Sequence, residues 1–380
     1  SAYSEGLSAI WIGDALHLKL VFATGRDDID QIAKGLSHQR APDGRVLVPY
    51  PGLCMAGAEF FGTGADGVNM GADHGVGGEA GGGPVTIYVA PGTYSMARCS
   101  LFYFVSLIGS GAAQTTLVGT VRGLRDDARL EAVTVTGAPA WGIDVDLPES
   151  PLIRECVVTG NASHVPDGFA YAGGINCIAF SAPTITDCRI EGNQGQGISC
   201  NYGSRATIRD CLVFGNGSRG MRLEGSSSPT VSNCYVYGNR DGGIFVGPHA
   251  TALITSCTIE GNTTPAKGGG IQFWYSSPIV DRCRILNNTA LEGGGVYCGW
   301  HADPTIDNSL IAGNTATCGG AVAVWQYSGA DLNNCTLAGN SAQNGNGISA
   351  ADEGHCCVWA GDEDFCAWTD GTTCESGGNL

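Results

Sequence analysis

The sequence predicts an all-β solenoid in which short strands wind into stacked coils. Three observations carry this. One unit recurs eight times: PLIRECVVTGN at 151–161, PTITDCRIEGN at 183–193, ATIRDCLVFGN at 206–216, PTVSNCYVYGN at 229–239, ALITSCTIEGN at 252–262, PIVDRCRILNN at 278–288, PTIDNSLIAGN at 304–314 and ADLNNCTLAGN at 330–340. The copies keep their columns in register. A Cys column (Cys156, Cys188, Cys211, Cys234, Cys257, Cys283, Ser309, Cys335) steps by 32, 23, 23, 23, 26, 26 and 26 residues, and an Asn column follows it by five in every copy. Each unit then closes on Gly-hydrophobic-x-hydrophobic, as in GISC, GMRL and GIFV. A period of 23 to 26 residues is too short to bury a core alone, so the units must stack, about 4.8 Å apart as paired strands do.

The chain divides into three regions on this reading. Residues 1–83 form an N-terminal cap and a Gly-rich loop, 84–350 the coils, and 351–380 a Cys-rich C-terminal cap. In the cap, LHLKLVF at 16–22 alternates like a strand, and a short helix is expected over about 28–36, started near Asp27 or Asp28. VTIYVAPGTY at 85–94 and VSLIGSGAAQTTLVG at 105–119 read as the first coils, and RLEAVTVTGA places Val133 in the Cys column, 23 residues before Cys156. The step from Cys156 to Cys188 is nine residues longer than 23, so SHVPDGFAY at 163–171 should project as a loop carrying His164, Asp167 and Tyr171.

Within a coil the alternating apolar residues should stack inside and the polar ones face out. Asn at a fixed turn tolerates left-handed backbone angles, and its amide can hydrogen-bond the copies above and below. Cys at regular inward spacing behaves as a small hydrophobe, because stacked side chains point the same way and make poor disulfides. Disulfide candidates are therefore the outliers: Cys54 and Cys99, and the group Cys356, Cys357, Cys366 and Cys374, which would staple the end of the chain in an oxidising compartment. Asn161, Asn216, Asn262, Asn287 and Asn334 match the N-glycosylation pattern, which turn composition alone also explains.

Composition excludes several function classes. The net charge is −17 and the only lysines are Lys19, Lys34 and Lys267, so no nucleic-acid partner is expected. No apolar run is long enough for a membrane-spanning helix. The acidic, low-lysine surface and the 17 cysteines suit a secreted or cell-surface protein.

Candidate functional residues lie in the turn before each Pro-x-Ile strand. Counting eight back from the Cys column places His249, Tyr275, His301 and Tyr327 on consecutive coils; counting nine back places Tyr202, Trp274 and Trp300 beside them, with Trp325 close in sequence. Rings about 5 Å apart offer a platform for the apolar faces of sugar rings. The same rings could instead stabilise a turn or meet another chain. Asp281, Arg282 and Arg284, near Tyr275 and His301, are the charged residues closest to this stripe, and solvated surface charge also accounts for them. Metal candidates are Asp66, Asp73 and His74, with Glu79, in the Gly-rich loop, and the vertical pair Asp187 and Asp210, which calcium or acid–base work could use.

The repeat resembles the right-handed parallel β-helix of the pectate-lyase-like superfamily, over roughly residues 84–350. The resemblance implies a solenoid with outward grooves. Lyases of that superfamily use Lys or Arg to take a proton alpha to a uronate carboxylate, often with Ca²⁺, which would cast Arg284, Arg282, Asp281 and His301 as a cleft. NTALEGGGV at 288–296, NTATCGGAV at 314–322 and NSAQNGNGI at 340–348 are similar to turns of bacterial surface β-helix repeats, including polymorphic outer-membrane adhesins. Three readings follow. The first is a β-helix binding carbohydrate or a partner through an aromatic-lined face. The second is a lyase or hydrolase acting on acidic polysaccharide. The third is a structural subunit that assembles with other copies of itself, donating the strand Ile10–Phe22.

Overall fold

The computed structural model describes residues 7–12, 15–20, 85–101, 105–162, 172–350, 355–360 and 363–368. All regular elements among them are strands, and almost all pairings are parallel. The helix expected over 28–36 and the loop at 163–171 lie outside the described residues.

Each full coil supplies three strands. In one coil they are Thr184–Thr186, Arg189–Glu191 and Gln196–Cys200. Each pairs in parallel with its counterpart one coil on: Thr207–Arg209, Leu212–Phe214 and Met221–Leu223. The register aligns the aliphatic residues into vertical stacks. Ile153, Ile185, Ile208, Val231, Ile254, Val280, Ile306 and Leu332 form one. Val158 to Ile311 form a second on the middle strands, and Ile175, Ile198, Met221, Ile244 and Ile271 begin a third. The stacks meet in a single core and are fully buried. Each such side chain contributes roughly 1.5–3 kcal/mol by leaving water, which a three-residue strand could not secure on its own. The looser N-terminal coils obey the same register: Val133 is buried in line with Cys156.

Two corners of the coil have a backbone explanation. At the first, the residue before the column Cys takes a left-handed conformation, with φ of 51–55° at Glu155, Asp187, Asp210, Asn233, Ser256, Arg282, Asn308 and Asn334. This turns the Cys side chain inward. The Cys211 thiol donates to the Arg209 carbonyl at 3.1 Å and the Ile185 carbonyl at 3.6 Å. Ser309 replaces the thiol with a hydroxyl that donates to the Asp307 carbonyl at 2.7 Å. Cys156, Cys188, Cys211, Cys234, Cys257 and Cys283 are buried thiols without disulfides, as small interior residues should be. Cys99 is likewise buried in the core, while Cys54 lies outside the described residues.

At the second corner the left-handed residue is not the column Asn. It is the preceding residue, Gly160, Gly192, Gly215, Gly238, Gly261, Asn287, Gly313 or Gly339. The Asn side chain is thereby turned inward instead of bridging its own turn. Asn216 donates to the Asn239 amide oxygen at 3.0 Å and to the Ile190 carbonyl at 3.2 Å; Asn239 repeats this onto Asn262 at 2.9 Å and Val213 at 3.2 Å. The ladder runs from Asn161 to Asn340. Its members Asn161, Asn216 and Asn262 are fully buried, so of the five glycosylation matches only Asn287 and Asn334 are exposed.

At the N-terminus, Leu7–Ile12 and Ala15–Leu20 form an antiparallel hairpin whose second strand pairs with Val85–Val89. The segment considered for donation to a neighbouring copy is thus paired within its own chain. At the other end, His355–Ala360 and Glu363–Trp368 form an antiparallel hairpin on the same sheet, with Cys357 opposite Cys366 in register. Among the described residues no helix is long and apolar enough to cross a membrane.

Candidate functional site

The third corner, between the third strand of one coil and the first strand of the next, carries the rings. Its backbone is left-handed at two successive residues in several coils: Ala179 and Phe180, Trp300 and His301, Gln326 and Tyr327. Bulky residues there cost roughly 1–2 kcal/mol each, which the coils above and below must offset. The geometry throws the side chains outward. Phe180 is 63% exposed, Tyr202 68%, Trp300 44% and Tyr327 59%.

Five rings form one continuous surface. Tyr275 lies 5.8 Å from His301, and His301 lies 5.5 Å from Tyr327 with the planes 14° apart. Trp300 is 6.0 Å from Tyr275, and Trp274 is 6.5 Å from both Tyr275 and Trp300. His249 sits exposed on the preceding coil and makes no ring contact with this group. The structure shifts one alignment. Counting from the Cys column places Trp274 level with Trp300, but in the strand register Trp274 faces Gly299. The corner after Phe273 is one residue shorter than the others, since Cys283 follows Phe273 by ten residues whereas Ser309 follows Cys298 by eleven. A single left-handed residue, Tyr275, makes that turn. Trp325 is not part of the ring surface; it is half-buried over Lys267, 5.4 Å from the ammonium.

Two of the proposed charged cleft residues are occupied with each other. Asp281 pairs with Arg282 at 2.8 Å and accepts from Asn308 at 2.9 Å. Arg284 is exposed on the second strand of its coil. Asp187 accepts from Thr186 at 2.9 Å, and Asp210 from Arg209 at 2.8 Å and Asn233 at 3.3 Å. Among the described residues no three His, Cys, Asp or Glu gather as a metal site. Asp66, Asp73, His74 and Glu79 lie outside the described residues.

A charged layer that the sequence reading missed covers the outward face of the third strands. The variable residue in GMRL, GIFV, GIQF and GVYC points away from the core, yet Phe245 is only 2% exposed and Tyr297 1%. Both rings lie against the glycine two residues on: a Cβ on Gly247 would meet the Phe245 ring at 2.5 Å, and one on Gly299 the Tyr297 ring at 2.6 Å. Cations cover them. Arg219 and Arg222 sit 4.7 and 4.8 Å from the Phe245 ring, and Lys267 4.7 Å from the Tyr297 ring. Lys267 also pairs with Glu292 at 2.9 Å and donates to the Tyr297 hydroxyl at 2.9 Å. Burial opposes the Lys267 charge, but these two partners outweigh it and its pKa rises. Arg219 donates to Gln272 at 2.6 Å, and burial brings its pKa down to about 10 despite Asp241 nearby. The signal was the outward position filled by Arg, Phe, Gln and Tyr in successive copies, above Gly-rich strand starts.

The model of the right handed beta helix region matches residues 121–290 and 219–358. No curated protein matches the chain. Solved structures with a similar course include a mutant of the periplasmic alginate epimerase AlgG, at 11% identity and a TM-score of 0.48 over 93% of this chain and 76% of that one. The Agl-KA catalytic domain gives 14% identity and 0.47 over 82% and 70%. The A-module of Azotobacter vinelandii mannuronan C-5 epimerase AlgE4 gives 15% and 0.45 over 75% and 89%. The catalytic domain of a GH87 alpha-1,3-glucanase in complex with nigerose gives 13% and 0.43 over 68% of this chain, which spans 61% of that domain's length.

Proposed function

The chain belongs to the right-handed β-helix family, and from that premise we propose that it binds a polysaccharide along the ring-bearing corner of its coils. The observation that carries this reading is the five-ring surface of Trp274, Tyr275, Trp300, His301 and Tyr327, exposed and spaced 5.5–6.5 Å apart. Coils rise about 4.8 Å, close to the advance of an extended sugar chain per unit, so successive sugars meet successive rings. Flat amphipathic rings bury the apolar faces of sugars while leaving their hydroxyls in water. The same strained backbone repeats on coil after coil, where a purely structural turn would be met more cheaply by Gly or Asn. The low-lysine acidic surface supports a place outside the cell or on its surface.

Titration with a panel of neutral and acidic oligosaccharides, followed by tryptophan fluorescence, tests the reading. We expect quenching, and about a five- to tenfold loss of affinity in Trp300→Ala, the worth of one stacked ring. Absence of quenching across the panel rejects it. Ultraviolet absorbance on the same samples reports unsaturated uronates, and a rising signal would replace simple binding with lyase action.

A further inference from the structure

Two to four coils before the ring surface, the same corner opens into a depression of about 450 Å³. Its size falls within the range of roughly 300–1,000 Å³ typical of small-ligand sites. We propose that it is a subsite for a sugar unit bearing a carboxylate or a sulfate, with Arg205 as the counter-charge. The proposal rests on the polysaccharide reading above and adds where the anionic group goes.

The depression is built by the local sequence. Phe180, Tyr202, Ser226 and Ser228 line it together with Gly203 and Gly225. The glycines are required by close approach as well as by their positive φ. A Cβ on Gly203 would stand 2.5 Å from the Phe180 ring, and one on Gly225 would collide with the Asn201 amide oxygen. That same oxygen accepts the Tyr202 backbone N–H at 2.7 Å, holding Tyr202 in its left-handed conformation. The tyrosine is thereby fixed outward before any ligand arrives.

Arg205 is the charged member of the lining. It is exposed, and its guanidinium has neither an ion pair nor a side-chain hydrogen bond to any described residue. Nearby on this coil and the one before, Arg209, Arg222 and Arg189 each pair with a carboxylate. The nearby carboxylate, Glu224, is turned away: it is 8% exposed, pairs with Arg222 at 2.7 Å and accepts from Asn201 at 3.2 Å. A chain of net charge −17 thus presents here an unpaired cation in one depression with two exposed rings and two hydroxyls. A planar guanidinium suits the paired oxygens of a carboxylate or sulfate, and the rings suit the body of the sugar. From Phe180 to Tyr327 is six coil steps, about 29 Å at about 4.8 Å each, so one extended chain reaches both the subsite and the ring surface.

Calorimetric titration of the full chain with oligosaccharides of equal length tests this, using neutral, carboxylated and sulfated members. The expected result is at least about a fivefold preference for a charged member over its neutral counterpart, shrinking at high salt. Arg205→Ala should erase the preference, while Arg205→Lys should restore part of it. The carboxylated and sulfated arms tell which anion is taken. Equal binding of neutral and charged members by the wild type, or a preference that survives Arg205→Ala, overturns the subsite and leaves the ring reading standing. No binding of any member overturns both. Trp300→Ala should weaken every member alike, separating the ring surface from the subsite.

Discussion

Asn239 shows at the residue scale what locks one coil to the next. Its buried amide donates to Asn262 and Val213 and accepts from both the backbone and the side chain of Asn216. Asn239→Ala leaves these groups unsatisfied in a dry interior, and should lower unfolding free energy by about 2–4 kcal/mol in a denaturant titration. The thiol column gives a pH dependence. Neighbouring thiols and burial push Cys234 and Cys257 up to about 12, from an ordinary value of 9.0. In the folded chain these thiols keep protons that the unfolded chain releases, so their stabilisation is complete below about pH 9 and is lost as pH rises towards 12. The unfolding free energy should fall over that window by roughly 1 kcal/mol per pH unit for each thiol. Alkylation at pH 8 should leave the buried thiols from Cys156 to Cys283 unlabelled until the chain is denatured. In a host that glycosylates, mass spectrometry should find sugar on Asn287 or Asn334 and none on the buried Asn161, Asn216 and Asn262.

The strand is the next scale, and its spacing depends on glycine at the start of the third strand. A Cβ on Gly270 would stand 2.5 Å from the Gly295 carbonyl, 2.7 Å from Ile285 and 2.9 Å from the Asn288 amide. Gly270→Ala must therefore push apart two coils and a rung of the ladder, and should destabilise by several kcal/mol, more than the same change at an open turn glycine such as Gly261 would through its backbone alone. The outward layer works in the same direction. Lys267 joins Tyr297 and Glu292 from the next coil and Trp325 from the one after. Lys267→Met keeps the stem but strands Glu292, and should cost about 1–3 kcal/mol in chemical unfolding. Glycan affinity should be untouched, because Lys267 is held within the layer by Glu292 and Tyr297.

Across the whole molecule, the coils share one continuous core while the surface charge sums to −17. Like charges repel in the compact state and salt screens them. Raising ionic strength from about 0.01 M to about 0.15 M shortens the screening length from about 30 Å to about 8 Å, and should raise the thermal midpoint. A midpoint that falls instead would mean that the surface ion pairs outweigh the net repulsion.

Period and column determined the architecture from the sequence alone. Eight copies in register admit a stacked solenoid, because each unit must find its neighbour to bury Ile, Val and Cys. The Asn ladder and the exposed rings followed from that stacking, since residues at one column position recur at one place in space. What the tertiary structure decided lies between columns. The left-handed residue precedes the column Asn, a choice of backbone angle that composition leaves open between Gly and Asn. The corner at Tyr275 is one residue short, which moves Trp274 out of line with Trp300, and Trp325 lies over Lys267 instead of beside the rings. The layer over Phe245 and Tyr297 and the depression at Arg205 join side chains from two or three coils whose approach is set by glycines. Spacing along the chain records which residues share a column; how closely neighbouring columns approach is fixed only when the coils are packed.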